Sequence, residues 1–576
     1  MPGLCGRIDL SQCSTIGDMR DGDAYDLLNR SGRHIPVAST ILKPYESRKD
    51  VGPFRRFMLY MLLIGIAVFY GLMSAVLPIA MLSFPLTPLI LLVALILWML
   101  PDRGGVEQDR MQKLMLAFIG LSIVWPNYVA FDLPGLPWIT PVRFAVFTLL
   151  AVFVLNFSTS LEFRDRIKTI MNSSPWLTRI FWGFWAATTF SIVFSSQPMG
   201  SFYRYMNNQI FWTMMFIVTA FLSTRPGFVM KAVQIMVCAT AIGLVAGIYE
   251  FRIERVFWLD HLPSFLKVDP EYLERVMKSQ ARAGTDIYRV RGTMATSLYY
   301  SEYLTMMYPL FLHFTVKERR LVPFLALFFG LLACIMVMWM TNARSAMVGL
   351  LVASTLYLLF ASVRHRNFNP RSIGSNALVF AYPVTVTLLA LIVQFWHRAH
   401  VMVLGGGQHQ ASSDARSAQW AMGWPKIFSH PFGFGVGRGG EALGYYNLAG
   451  EITVDSHYLS LMLDSGILAL PLFLLCFLVP AWFGFLYFRT ARSDEEQLIA
   501  PLALGLINFC IVKSVLTSEG SVPFAFIMAG CIVGLVWQRK LAAAAIPATG
   551  TAVAVARRSI APGYVGAAAA GPAARA

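Results

Sequence analysis

Residues 321–361 read LVPFLALFFGLLACIMVMWMTNARSAMVGLLVASTLYLLFA. Two apolar runs, 321–341 and 345–361, meet at the short polar turn Thr341-Asn342-Ala343-Arg344-Ser345. A bilayer core takes about 20 apolar residues per helix, so the stretch predicts a helical hairpin that crosses a membrane twice. The same signal repeats on both sides of it. Toward the N-terminus there are runs at 57–77, 84–100, 112–129, 141–157, 177–195, 205–223, 228–250 and 298–316, with Pro78 and Pro85 parting the first two. Toward the C-terminus they fall at 377–396, 457–487, 498–514 and 521–538. Of the 576 residues 56% are hydrophobic and only 14% are charged, where soluble proteins carry about 25% charge. A chain with a mean hydropathy of +0.59 cannot cover a water-facing surface, which excludes a soluble enzyme. The expected fold is an all-α polytopic membrane protein of about 14 transmembrane helices, with two long periplasmic loops containing interfacial helices.

The charge balance, 47 basic against 31 acidic residues for a net +16, would suggest nucleic acid in a soluble protein. In a hydrophobic chain it reports Lys and Arg retained in cytoplasmic loops. Arg55-Arg56, Arg103/Arg110/Lys113, Arg164/Arg166/Lys168, Arg225/Lys231, Lys317/Arg319/Arg320, Arg364/Arg366, Arg489/Arg492 and Arg539/Lys540 all fall on one side if the spans alternate. Eight loops agreeing predict that this side is the cytoplasm. The expected organisation is a cytoplasmic tail 1–56, an N-terminal bundle 57–250, a periplasmic loop 251–297, helices 298–396, a large periplasmic catalytic loop 397–456, helices 457–540 and an Ala-rich disordered cytoplasmic tail 541–576. The first apolar run is expected to direct insertion. Five of the seven cysteines lie in apolar runs and read as small apolar residues, with no CxxC or Cys/His metal spacing. No Gly-rich phosphate loop supports ATP-driven transport.

Basic residues on the outer side break the pattern. Arg344 sits in the sharp outer hairpin, where it could simply snorkel to headgroups, but an Arg at membrane depth is by default a functional hypothesis. Arg416 belongs to a stretch that reads as an interfacial amphipathic helix with Trp420 and Trp424 on one face. His430-Pro431-Phe432-Gly433-Phe434-Gly435-Val436-Gly437-Arg438-Gly439-Gly440 follows, and glycines so dense imply a backbone packed closely against something, or a series of tight turns. Then comes Asp455-Ser456-His457-Tyr458-Leu459, where Asp455 or Ser456 is a natural N-cap. His457 is expected to face outward, with Asp464 on the same helix face. Two arginines suit a diphosphate, each offering paired hydrogen bonds, and can stabilise its departure from a sugar. Neither outer loop shows a carboxylate cluster for Mg²⁺, so no metal and no cofactor is expected. A base is also needed. His457 is favoured because imidazole titrates near neutrality, with Asp455 as the other candidate.

At these residues the sequence resembles the bacterial O-antigen ligase and O-antigen (exopolysaccharide) polymerase family, over roughly 280–540. The motifs are Arg291-Gly292-Thr293-Met294, Thr341 to Ser345, Arg416…Trp420…His430 to Gly437, and Tyr458-Leu459…Asp464-Ser465-Gly466. The resemblance implies a metal-independent, inverting glycosyltransferase of the inner membrane, acting on the periplasmic face. Arg344 and Arg416 would bind the pyrophosphate of a polyprenyl-diphosphate-linked glycan, and Arg291, Trp420 and Tyr458 would line the substrate site. The partners it implies are that donor, a growing polysaccharide or lipid A-core acceptor, membrane lipids and other polysaccharide-assembly proteins, with no nucleic acid. One departure stands out. The family's His-Asn-x-Tyr-Leu aligns its His on Asp455 and its Asn on Ser456, leaving His457 at the unspecified position, and Ala469 replaces a usual Gly. The displaced His favours a polymerase of an exopolysaccharide or O-antigen, with ligation of O-antigen to lipid A-core as the alternative. A lipid-linked oligosaccharide flippase would share the span count, but should show two similar halves and polar residues at mid-membrane. A non-catalytic scaffold would be insensitive to loss of Arg344 or Arg416.

Overall fold

The computed structural model describes residues 105–545, apart from 132–138, 257, 269–272, 274–287, 398–399, 401–409, 447–449 and 516–518, together with four positions between 57 and 64. The expected tail 1–56, nearly all of 57–77, the span 84–100 and residues 546–576 lie outside the described residues. The helices that follow belong to one compact unit, Arg103–Ala576.

Among the described residues nine helices are long and apolar enough to cross a membrane, and the chain is a multi-pass membrane protein. Local sequence sets where they begin. Pro141, Pro175 and Pro198 occupy the first helical turn, where a missing N–H costs nothing. The Thr140 and Thr296 hydroxyls accept the Arg143 and Tyr299 amides as N-caps. Pro309, Pro383 and Pro480 stand inside helices, as membrane helices allow.

Burial orders the bundle. Val522–Ala543 is 83% buried and Ile373–Phe395 0%, so the first runs through the middle and the second lies at the edge of the described bundle. Close approach relies on small residues. A Cβ at Gly530 or Gly534 would lie 2.8 Å from the Phe216 or Ala220 carbonyl oxygen, which is why Val522–Ala545 seats so tightly on Met215–Leu222.

Every expected span from 112 onward finds a helix, with differences that have physical causes. The expected 457–487 is not one span. Gly466, at φ 86° and ψ 169°, divides it into a nine-residue helix, His457–Ser465, and the membrane-spanning Ala469–Phe488. The expected 205–223 is the end of a composite helix, in which Pro198–Asn208 passes through a π-helical stretch, Gln209–Met214, into Met215–Leu222. The structure is not purely helical either, since Val129–Phe131 pairs antiparallel with Leu266–Val268. In the first long loop, expected to hold an interfacial helix, the described residues include the turn Leu259–His261 and the helical position Leu273. The last helix continues to Ala545, into the expected tail.

The basic segments gather at one end of the bundle. Arg225 ion-pairs with Asp109 and Lys317 with Asp494 (2.8 Å). Arg364 donates to the Ala491 carbonyl (3.1 Å), Arg539 to the Tyr487 carbonyl (2.6 Å) and Lys540 to the Ser173 carbonyl (2.5 Å). Glu495 accepts the Gly227 and Val229 amides at 2.8 and 2.9 Å. The opposite end carries the Thr341–Arg344 turn, the glycine-rich segment and His457.

Candidate active site

The Thr341–Arg344 turn is shaped by Asn342, which takes φ +49°, a left-handed conformation that Asn tolerates better than most residues. The buried Thr341 hydroxyl donates to the Met338 carbonyl (2.7 Å). Arg344 then becomes the first residue of Arg344–Phe368 and is half-buried. A cation at a helix N-terminus opposes the macrodipole, by about 0.3–1 kcal/mol at exposed sites. Helix stability therefore gives no reason for an arginine here.

Arg416 lies on Gln410–Ser429 and is also half-buried. One turn further, the buried Gln419 accepts the Asp455 amide at 2.9 Å. Trp420, Trp424 and Phe428 continue along the helix as a ladder, with centroids 5.3 and 5.7 Å apart, so the expected single aromatic face is present. The helix is held by Ile427, buried against Leu443, Leu459, Met462 and Leu463.

Asp455 is half-buried and faces Arg416. Burial pushes its carboxyl above the ordinary range, while the Arg416 guanidinium and the Gln419 side chain pull it back down. The expected capping role is not observed. Ser456 is the N-cap, and it makes no side-chain capping bond. His457 does not face outward either: it is 3% exposed, its ring lies tilted 5.3 Å from that of Phe473, and neither ring nitrogen has a hydrogen-bond partner. Burial, reinforced by Lys513, drives its pKa well below the usual imidazole value. Tyr458 donates its hydroxyl to the Cys510 carbonyl.

The glycine-rich segment docks, backbone to backbone, on the end of His457–Ser465. Phe434 N–H donates to Leu463 O (2.8 Å), Gly435 N–H to Asp464 O (3.0 Å) and Ile467 N–H to Pro431 O (3.1 Å). Asp464 is cradled by the Gly437 and Gly439 amides, yet burial raises its carboxyl to about 7, with Glu519 adding to the rise.

Arg291 is placed differently from the rest. It is 1% exposed, 3.9 Å from the equally buried Glu250, and Glu250 also accepts the Tyr288 hydroxyl and the Arg291 and Gly292 amides. A phosphate would have to displace Glu250 to reach it. Thus the fold brings Arg416, Gln419 and Asp455 together, and sets Arg344 at the same end on a helix packed against Ile499–Lys513. It turns His457 inward and locks Arg291 away. Sequence reasoning missed Gln419 and also the ion pair of Lys513 and Glu302 (2.9 Å, both fully buried) beside His457. Charges inside the apolar runs 298–316 and 498–514 were the signal for that pair.

No curated protein matches the chain significantly. Residues 310–474 match the family model described as O-antigen ligase, a span that takes in the Arg344 turn, Arg416, the glycine-rich segment and Asp455. The match bears out the resemblance carried by the motifs: residues 310–474 form a domain similar to the O-antigen ligase family.

Proposed function

We propose that the chain transfers a glycan from a polyprenyl-diphosphate carrier to a sugar hydroxyl on the periplasmic face of the inner membrane, as the polymerase of an exopolysaccharide or O-antigen. The observation that carries the reading is Asp455 facing Arg416 across Gln419, next to the latched glycine segment. Arg416 and Arg344 hold the donor's diphosphate. The Asp455 carboxylate takes the proton of the acceptor hydroxyl, whose oxygen attacks the anomeric carbon from the opposite side. The bond from that carbon to the phosphate oxygen breaks, and the diphosphate leaves with the electron pair on its arginines, so the centre inverts. A carboxyl raised by burial is better matched to this task than an exposed one, and a charge-stabilising guanidinium supplies what a metal would otherwise provide. His457, with burial lowering its basicity, is the second candidate base.

The description of the matching family model favours one second reading, ligation to a lipid A-core acceptor. The two part in a deletion strain. Polymerase loss accumulates a single repeat on the polyprenyl carrier, and ligase loss accumulates long unattached polymer. A strain that accumulates neither refutes both.

A further inference from the structure

A cavity of about 720 Å³, lined by polar and apolar residues alike, opens beside Arg204 and Glu519, within the range of small-molecule sites. Arg143, Arg204, Asn207, Asn208, Glu519 and Tyr299 contribute to its wall. Three observations mark it as a built site. The π-helical stretch Gln209–Met214 begins at its edge, and such insertions occur frequently at functional sites. The Ser122 and Tyr299 hydroxyls, whose residues line the cavity and are 6% and 7% exposed, make no hydrogen bond within the protein. A buried hydroxyl without a partner is costly, so a ligand rich in donors and acceptors would gain at these positions. Arg204, ion-paired to Glu519 at 3.2 Å, also packs against the Cα side of Gly437, which joins the cavity wall to the glycine segment.

A smaller void of about 20 Å³, room for one water, shares Asn208, Trp212 and Glu519 with the cavity and reaches His457 and Asp464. The two spaces together reach from the Arg143 side to His457 and Asp464. Its lining mixes two arginines, amides, hydroxyls and one carboxylate with the aromatic side chains of Tyr128, Phe211 and Trp212. That combination matches a polyhydroxylated ring compound, whose hydroxyls both donate and accept and whose apolar faces rest on aromatic rings.

We infer that this cavity binds the carbohydrate of the acceptor, separately from the arginines that hold the donor. The inference rests on the transfer reading for the word acceptor, but not for the binding itself. The test uses the full-length protein in detergent and a radiolabelled oligosaccharide, released by mild acid from the lipid-linked glycan of the same cells. Asn207→Leu and Arg143→Gln alter exposed side chains of the cavity, and each should raise the Kd about tenfold or more. Arg416→Ala should leave the Kd within about twofold. Wild-type protein that does not bind the oligosaccharide, or cavity variants that bind it as well as wild type, would overturn the inference. Transfer is assayed in the same preparations. Full transfer by Arg416→Ala alongside weakened binding by the cavity variants would sink the transfer reading and leave the carbohydrate site standing.

Discussion

Gly466→Ala tests whether the docked glycine segment is needed for activity. Gly466 has φ 86° and ψ 169°, a region close to glycine-only. A Cβ there would sit 2.3 Å from the Pro431 carbonyl oxygen, 2.8 Å from Phe432 Cα and 2.9 Å from Phe432 C. All three are backbone atoms, so no rotamer change relieves the overlap, and the segment must retreat by roughly 1 Å to reach an ordinary contact of about 3.4 Å. Backbone strain alone costs about 1–3 kcal/mol. Retreat also disrupts the bonds to Leu463, Asp464 and Pro431, each worth about 0.5–1.5 kcal/mol. The total comes to about 2.5–7.5 kcal/mol, enough to release the segment locally while the apolar bundle stays in the membrane. The control is Gly450→Ala, which also has positive φ (75°) but nothing within 4 Å of its Cβ, and so carries only the conformational cost. The assays are limited proteolysis between 430 and 440 and glycan transfer in membranes at matched expression. Gly466→Ala should be cut rapidly and transfer little, while Gly450→Ala behaves nearly as wild type. Equal cleavage and equal transfer in the two variants would refute the argument that this contact holds the site.

Asp455→Asn should lower transfer by about 10²–10⁴-fold, the usual effect of removing a general base, and His457→Ala should lose less; the reverse order in a purified assay would return the imidazole to the role of base. The base must be ionised and its pKa is raised by burial, so activity should fall as pH drops through a value above the ordinary Asp range near 4. Arg416→Gln, by removing the opposing cation, should move that limb to higher pH, and an unmoved limb would count against the pairing. Arg344→Ala and Arg416→Ala should each lose about 10²–10³ in rate, with Lys a poor substitute for the bidentate fork; normal polymer from either Ala variant would leave that arginine a headgroup contact. Cysteines placed at Gln410 and Tyr445, after removal of the native ones, should react with an impermeant thiol reagent in intact spheroplasts, and labelling only after lysis would invert the topology.

The spans were legible because lipid leaves one solution for a long apolar run, a helix with its own hydrogen bonds. The break at Gly466 was not, since hydropathy stays high across it and only the positive φ, set by contact with Pro431, divides the helix. The glycine segment was correctly read as closely packed, but what it packs against, the Leu463–Asp464 backbone, depends on tertiary contact. Arg416 was visible as a charge out of place. Its partner Asp455 was read as a possible cap because local rules reward a carboxylate before a helix, whereas Ser456 takes the N-cap position. The inward orientation of His457 was not legible, because nothing in its neighbours foretold that Phe473 would pack beside it.

The Glu250–Arg291 pair has a consequence for how this sequence can vary. The strand-like segment that holds Arg291 also reaches the hairpin, through Val290 N–H to Met340 O (3.4 Å) and Arg289 Nε to Thr341 O (3.0 Å). Losing one member of a buried pair strands the other charge, at a cost of about 3–5 kcal/mol, whereas replacing both with apolar residues of similar volume is often tolerated. Neither position can therefore drift alone without disturbing the turn that presents Arg344. Changes at 250 and 291 should survive only in combination, and a selection for restored polymer in a Glu250 variant should return second-site substitutions at Arg291, far along the chain from the arginine they rescue.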